Sequence, residues 1–308
     1  MSIEVKVPDN EKEKIIYQNK TKSKNDKEDK NSLSKNSENI TSSSSINESK
    51  DEESLEFENN FKKYYIDPSQ NTPLNFDNYV QYGLKLISLF PLENDFEKQI
   101  KEKKICLNKE KNFNINKKTL VVDMDETLIH GDVDFQFKYH DEILKFNFGN
   151  ENDILIPLIL RPHLFEFLDY ASENFNLIVF TASDKNYANS ILNFIEKKKK
   201  YFIKRLFREN CIYLNPGISI KDLRIFSDVT LNNIILVDNS IFAFANQLSN
   251  GVLISSFYND INDCMLENLI GYLGILLNVK DVREINEQSF QFETYLLNIK
   301  KNCKLMTK

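Results

Sequence analysis

Leu120-Val121-Val122-Asp123-Met124-Asp125-Glu126-Thr127 is the stretch on which the reading of this chain turns. Its apolar half reads as a buried strand, and two carboxylates follow at the strand's carboxyl end. Side chains alternate along an extended backbone, so Asp123 and Asp125 point one way and Met124 the other. In open α/β sheets ligands collect beyond the carboxyl ends of the strands, where such a pair would lie. Taken alone, the two Asp residues could equally cap the strand and begin a turn.

The chain on either side supports the strand reading. Leu177-Ile178-Val179-Phe180, Asn233-Ile234-Ile235-Leu236-Val237 and Gly251-Val252-Leu253-Ile254 are further apolar runs. Helical patterns over residues 163–174, 185–196 and 263–277 separate or follow them, with a shorter helix beyond Asp281. Buried strands divided by helices predict a parallel sheet covered on both faces, hence an α/β, three-layer Rossmann-like fold. Residues 131–156, rich in Phe, Tyr and Asp, predict a β-rich flap after the Asp123 segment. Residues 203–220 predict a small β insertion with a turn at Asn215-Pro216-Gly217.

At 308 residues and 41% hydrophobic, the chain can bury one substantial core and carry a tail. Residues 1–73 are dominated by Lys, Asn, Asp, Glu and Ser and predict a disordered low-complexity tail. Residues 74–117 form a helical N-terminal extension, in which Phe76, Tyr79, Val80, Leu84, Ile87 and Phe90 recur at helical spacing before a stop at Pro91. Residues 118–300 form the main domain. A net charge of −6 argues against direct nucleic-acid binding. No apolar run approaches the roughly 18 residues needed to span a bilayer, and no signal peptide opens the chain, so no membrane role is expected. Cys106, Cys211, Cys264 and Cys303 are widely separated, which fits a reducing compartment and suggests no zinc site. A nuclear or cytoplasmic monomer is the expectation.

Three further segments end predicted strands or a connector. Phe180-Thr181-Ala182-Ser183 offers a hydroxyl and backbone amides before a helix, suited to phosphate oxygens. Lys221-Asp222-Leu223 supplies a cation that could offset phosphate charge. Val237-Asp238-Asn239-Ser240 supplies hard oxygen ligands suited to Mg²⁺.

With Leu160-Arg161-Pro162-His163, Arg205-Leu206-Phe207-Arg208-Glu209 and Gln247-Leu248-Ser249-Asn250-Gly251, these motifs resemble the small C-terminal-domain phosphatases of the haloacid-dehalogenase superfamily. The family is also known as nuclear-LIM-interactor-interacting-factor-like. The resemblance spans residues 118–283 and is nearest to the small-phosphatase-like subgroup. It implies a phosphoprotein phosphatase in which Asp123 is the nucleophile and Asp125 the general acid and base. Mg²⁺ would be held by Asp123, the Asp125 carbonyl and Asn239, with Asp238 beside it. Thr181, Ala182 and Lys221 would bind the phosphoryl group, together with the Thr127 loop. The implied substrate is phosphoserine in a segment like the RNA polymerase II C-terminal repeat. Phe135, Phe137, Ile143 and Phe146 are candidates for an apolar substrate pocket, and Arg205 and Arg208 for phosphopeptide contacts. Ser256-Phe257 departs from the family's Trp-Phe, a change expected to touch no catalytic group. The alternatives are a catalytically silent phosphopeptide- or partner-binding module and a small-molecule phosphatase.

Overall fold

A computed structural model describes residues 73–90, 96–146, 154–214 and 218–306. The expected tail apart from Pro73, the stop at Pro91 and the turn at Asn215-Pro216-Gly217 lie outside those residues. Helices α1 (Pro73–Ile87) and α2 (Glu97–Glu102) precede strand β1 (Thr119–Val122). An antiparallel flap follows, made of β2 (Ile129–Gly131), β3 (Glu142–Phe146) and β4 (Ile154–Leu160) in the order β2-β4-β3. Then come α3 (Leu164–Asn174), β5 (Asn176–Phe180), α4 (Lys185–Ile195) and β6 (Lys204–Leu206). The hairpin β7 (Ile212–Leu214) and β8 (Ile218–Ile220) leads to β9 (Ile234–Asp238) and β10 (Gly251–Leu253). Helices α5 (Met265–Leu277), α6 (Val282–Phe290) and α7 (Phe292–Met306) close the chain.

The central sheet is parallel, in the order β10-β9-β1-β5-β6. Strand β6 belongs to this sheet, not to the insertion that the sequence pattern predicts for its residues. Three residues with Lys204 and Arg205 among them carry too little apolar pattern to announce a sheet strand.

Strand alternation sorts the core into two halves. Leu120, Val122, Leu177, Val179, Ile235 and Val237 face α3, α4 and α5. Val121, Ile178, Phe180, Ile234 and Leu236 face the other way, onto α1, α2, the β7–β8 hairpin and α7. The extension is therefore part of the second core, with Leu84, Ile87, Phe96 and Ile100 buried there. Gly251 makes one close approach possible, since a Cβ at that position would stand 2.2 Å from the Phe244 ring. Among the described residues no helix is long and apolar enough to cross a membrane.

Candidate active site

Register brings the site together. Val122 of β1 pairs with Val179 of β5 and Val237 of β9, so the residues that follow each strand stand at one level. The strand order reverses between β1 and β9, which opens a crevice at the carboxyl ends. Asp123 N–H donates to the Val237 carbonyl at 2.9 Å, carrying the ladder one residue past β1. The chain then turns sharply through Glu126 at φ 55, whose N–H donates to the Ile129 carbonyl at 2.7 Å. Met124 is fully buried in the core, while the flanking carboxylates both meet site groups.

Lys221, at 3% exposure, sits between two buried carboxylates. Its Nζ donates to Asp123 Oδ1 at 2.5 Å and to Asp238 Oδ2 at 2.6 Å. Burial alone would push the Lys221 pKa down, but Asp123 and Asp238 outweigh it and hold the ammonium well above the usual lysine range. One ammonium serves two carboxylates, and burial holds Asp238 above the usual carboxylate range despite the Lys221 attraction.

Asp125 has different company. Its Oδ2 accepts from Ser183 Oγ at 2.6 Å and Thr181 Oγ1 at 3.2 Å, and its Oδ1 from the Tyr187 hydroxyl at 3.0 Å. Among the described residues these donors are all neutral. Burial, then the nearby Asp123 charge, raises the Asp125 pKa to about 6. The Tyr187 phenol is pushed well above its ordinary value, by burial first and then by Asp125, and stays a donor. Asp184 caps α4, accepting from the N–H groups of Asn186 and Tyr187.

Thr127 is fully buried and acts as a brace. Its hydroxyl lies 3.5 Å from Asn239 Oδ1, and its carbonyl accepts from Arg161 Nη1 at 3.0 Å. Arg161, at 1% exposure, also forks onto Asp263 through two 2.8 Å bonds, reaches Ser255 Oγ at 3.2 Å and lies over the Phe257 ring. Arg161 appeared in the sequence only as part of a motif, and its role needed Asp263 and Ser255, 102 and 94 residues away, to be seen. Ser256 was expected to touch no catalytic group, yet its Oγ accepts from Asn239 Nδ2 at 3.0 Å. Asp222, beside Lys221, is another missed anchor: it is fully buried and accepts from Arg224, Asn246 and Gln247.

The outer candidates separate. Arg205 is held by Asn189, Asn193 and Glu196, so its guanidinium belongs to the packing of α4 against β6. Arg208 donates Nε to the Ala182 carbonyl at 2.8 Å from an exposed position beside the Thr181 loop. Phe146 is buried and packs on Tyr187, which makes it flap packing and not pocket lining. Phe135 and Ile143 are about half exposed, and Phe137 packs edge-on against His130.

The donor set at the strand ends fits a hard divalent cation. Asp123, the Asp125 carbonyl and Asn239 offer oxygen atoms that could hold such an ion, and Lys221 takes only Oδ1 of Asp123. Among the described residues no group of three or more His, Cys, Asp and Glu is arranged to hold a metal.

Residues 118–283 match a family model described as NLI interacting factor-like phosphatase. Nuclear envelope morphology protein 1 of Schizosaccharomyces pombe is 33% identical over 201 residues, covering 63% of this chain and 42% of that protein. CTD small phosphatase-like protein 2 of Dictyostelium discoideum is 38% identical over 166 residues, covering 54% and 28%. CTD nuclear envelope phosphatase 1B of Danio rerio is 31% identical over 185 residues, covering 56% and 72%. The chain thus spans less than half the length of the first two relatives.

Proposed function

The chain belongs to the NLI interacting factor-like phosphatase family, and from that premise we propose that it is a Mg²⁺-dependent protein serine/threonine phosphatase working through an aspartyl-phosphate. The observation that carries this reading is the contrast between the two carboxylates: Asp123 is paired with a buried ammonium, Asp125 with hydroxyls. A nucleophile must stay ionised and a proton donor must hold its proton, and these surroundings favour that division.

In the first step Asp123 attacks phosphorus, the bond from phosphorus to the seryl oxygen breaks, and Asp125 gives its proton to the departing oxygen. In the second, water attacks the phosphoryl group on Asp123 while Asp125 takes the water's proton, releasing phosphate and restoring the Asp123 carboxylate. Lys221 and the Thr181-Ala182 loop would hold the phosphoryl oxygens as charge develops. Asp123, the Asp125 carbonyl and Asn239 would hold Mg²⁺, which when bound offsets the repulsion between an anionic nucleophile and an anionic phosphate. Phosphoserine in an RNA polymerase II C-terminal-domain-like segment is the proposed substrate; two of the relatives are named as CTD phosphatases or phosphatase-like proteins. Phe135, Phe137 and Arg208 are the proposed substrate contacts. Two relatives are named for the nuclear envelope, which supports a nuclear location over a cytoplasmic one.

The test is transfer of radiolabelled phosphate from phosphoserine peptides, with and without a following proline, to the protein in the presence of Mg²⁺ or a chelator. A covalent label that survives acid quench, is released by hydroxylamine and is lost in Asp123→Asn is expected. Metal-independent hydrolysis, or turnover retained in Asp123→Asn, would overturn the mechanism.

A further inference from the structure

Among the described residues Asp125 accepts three side-chain hydrogen bonds, and their distribution between its oxygens is uneven. Oδ2 takes two, from Ser183 and Thr181, while Oδ1 takes one, from Tyr187. A carboxylate offers about four lone-pair sites, two on each oxygen. Three are filled by protein hydroxyls, so the site left for a transferable proton is the second lone pair of Oδ1.

Tyr187 is held for this contact by elements on two sides. Its N–H is bonded to the Asp184 cap of α4 at 3.4 Å, which places its Cα in the helix's first turn. Phe146 of β3, buried at 3% exposure, packs on the ring at a tilt of 31°, with centroids 5.3 Å apart. Gly131 of β2 leaves the space that the hydroxyl fills, for a Cβ there would stand 2.6 Å from it. Both Phe146 and Gly131 belong to the flap, whose β2 starts four residues after Asp125. The flap thus grips the side chain that completes the Asp125 hydrogen-bond set.

We propose that Tyr187 is a positioning residue for proton transfer: held by Phe146 and by the space at Gly131, its hydroxyl fixes the Asp125 carboxyl so that Oδ1 carries the proton given to the leaving serine or threonine oxygen. This rests on the reading of Asp125 as proton donor. Without Tyr187, Oδ1 has two open sites, and the carboxyl is tethered only through Oδ2. The proton then has no single direction. The penalty falls on substrates whose leaving oxygen must be protonated as it departs, such as an alkyl phosphoserine, and spares aryl phosphates whose leaving group departs as an anion.

The experiment compares kcat/KM for a phosphoserine peptide and for para-nitrophenyl phosphate in the full chain, since kcat/KM reports the phosphoryl-transfer step for both. Wild type, Tyr187→Phe, Gly131→Ala and Asp125→Asn are run side by side. Tyr187→Phe keeps the ring on Phe146, and Gly131→Ala displaces the hydroxyl from the flap side, so the two reach the same contact by separate routes. The expected result is a fall of about tenfold in the peptide-to-aryl ratio for both variants, part of the roughly 10²- to 10⁴-fold that general acid catalysis supplies and that Asp125→Asn should lose. Equal losses on the two substrates, or an unaltered ratio, in Tyr187→Phe would overturn the proposal while leaving Asp125 as the acid. An unaltered ratio in Asp125→Asn would remove the proton-donor reading itself and the proposal with it.

Discussion

Asn239 donates its side-chain Nδ2 to Ser256 Oγ across 3.0 Å. That bond turns the amide so that its Oδ1 faces the Thr127 hydroxyl and the end of β1. Partners behind a ligand orient it, and losing one typically costs 10- to 100-fold in metal affinity, as an order of magnitude. Ser256→Ala should therefore weaken Mg²⁺ binding about tenfold, measured by titration calorimetry on the folded protein. Wild-type affinity in the variant would show that Ser256 does not set the Asn239 orientation.

Lys221 neutralises a site that holds two buried carboxylates. Replacing it with Met leaves Asp123 and Asp238 without that cation, at a cost of about 3–5 kcal/mol. Added Mg²⁺ restores a positive charge, so the melting temperature of Lys221→Met should rise more with Mg²⁺ than that of wild type. An equal rise in both proteins would refute the counter-charge role.

Arg161 ties the Thr127 carbonyl to Asp263 at the start of α5. Arg161→Leu strands the Asp263 charge in the core and should lower unfolding free energy by about 3–5 kcal/mol, read from denaturant midpoints. Adding Asp263→Leu should recover part of that loss, because the stranded charge is removed. Additive losses in the double variant would show that the two side chains are not coupled.

Glu196 gives the fold a pH dependence away from the crevice. Burial raises its pKa, but Arg205 and the N–H groups of Phe202 and Tyr201 outweigh it and hold the carboxyl below the usual range. A depressed carboxylate stabilises fully above its unfolded pKa of about 4.3 and loses that contribution as pH falls through the lower folded value. Glu196→Gln should cost about 1.5–3 kcal/mol at neutral pH, and the gap to wild type should close as pH drops below about 4. A gap independent of pH in urea titrations would count against the charge-assisted role.

The strands that carry the site were legible because buried parallel strands must be apolar on both faces, and Leu120-Val121-Val122 and its counterparts are. Strand β6 was not, since an edge strand with Lys204 and Arg205 can leave polar side chains in contact with solvent and with α4. The motif of Lys221 points to a phosphate cation, but its bridge to Asp123 and Asp238 depends on residues 98 and 17 positions away. Arg205 shows the reverse: an arginine beside a motif suggests a ligand, and its partners on α4 make it structural.

By itself the sequence determined the α/β class, the order of the four apolar strands along the chain and the carboxylates at the end of β1, because period and apolarity are local properties of the chain. Only the tertiary structure decided which charges meet, which of the two carboxylates has the cation, and that Tyr187, Ser256 and Arg161 bond to Asp125, Asn239 and Thr127. Those relations depend on strand register and on side chains brought together across long loops, and a linear pattern carries no record of either.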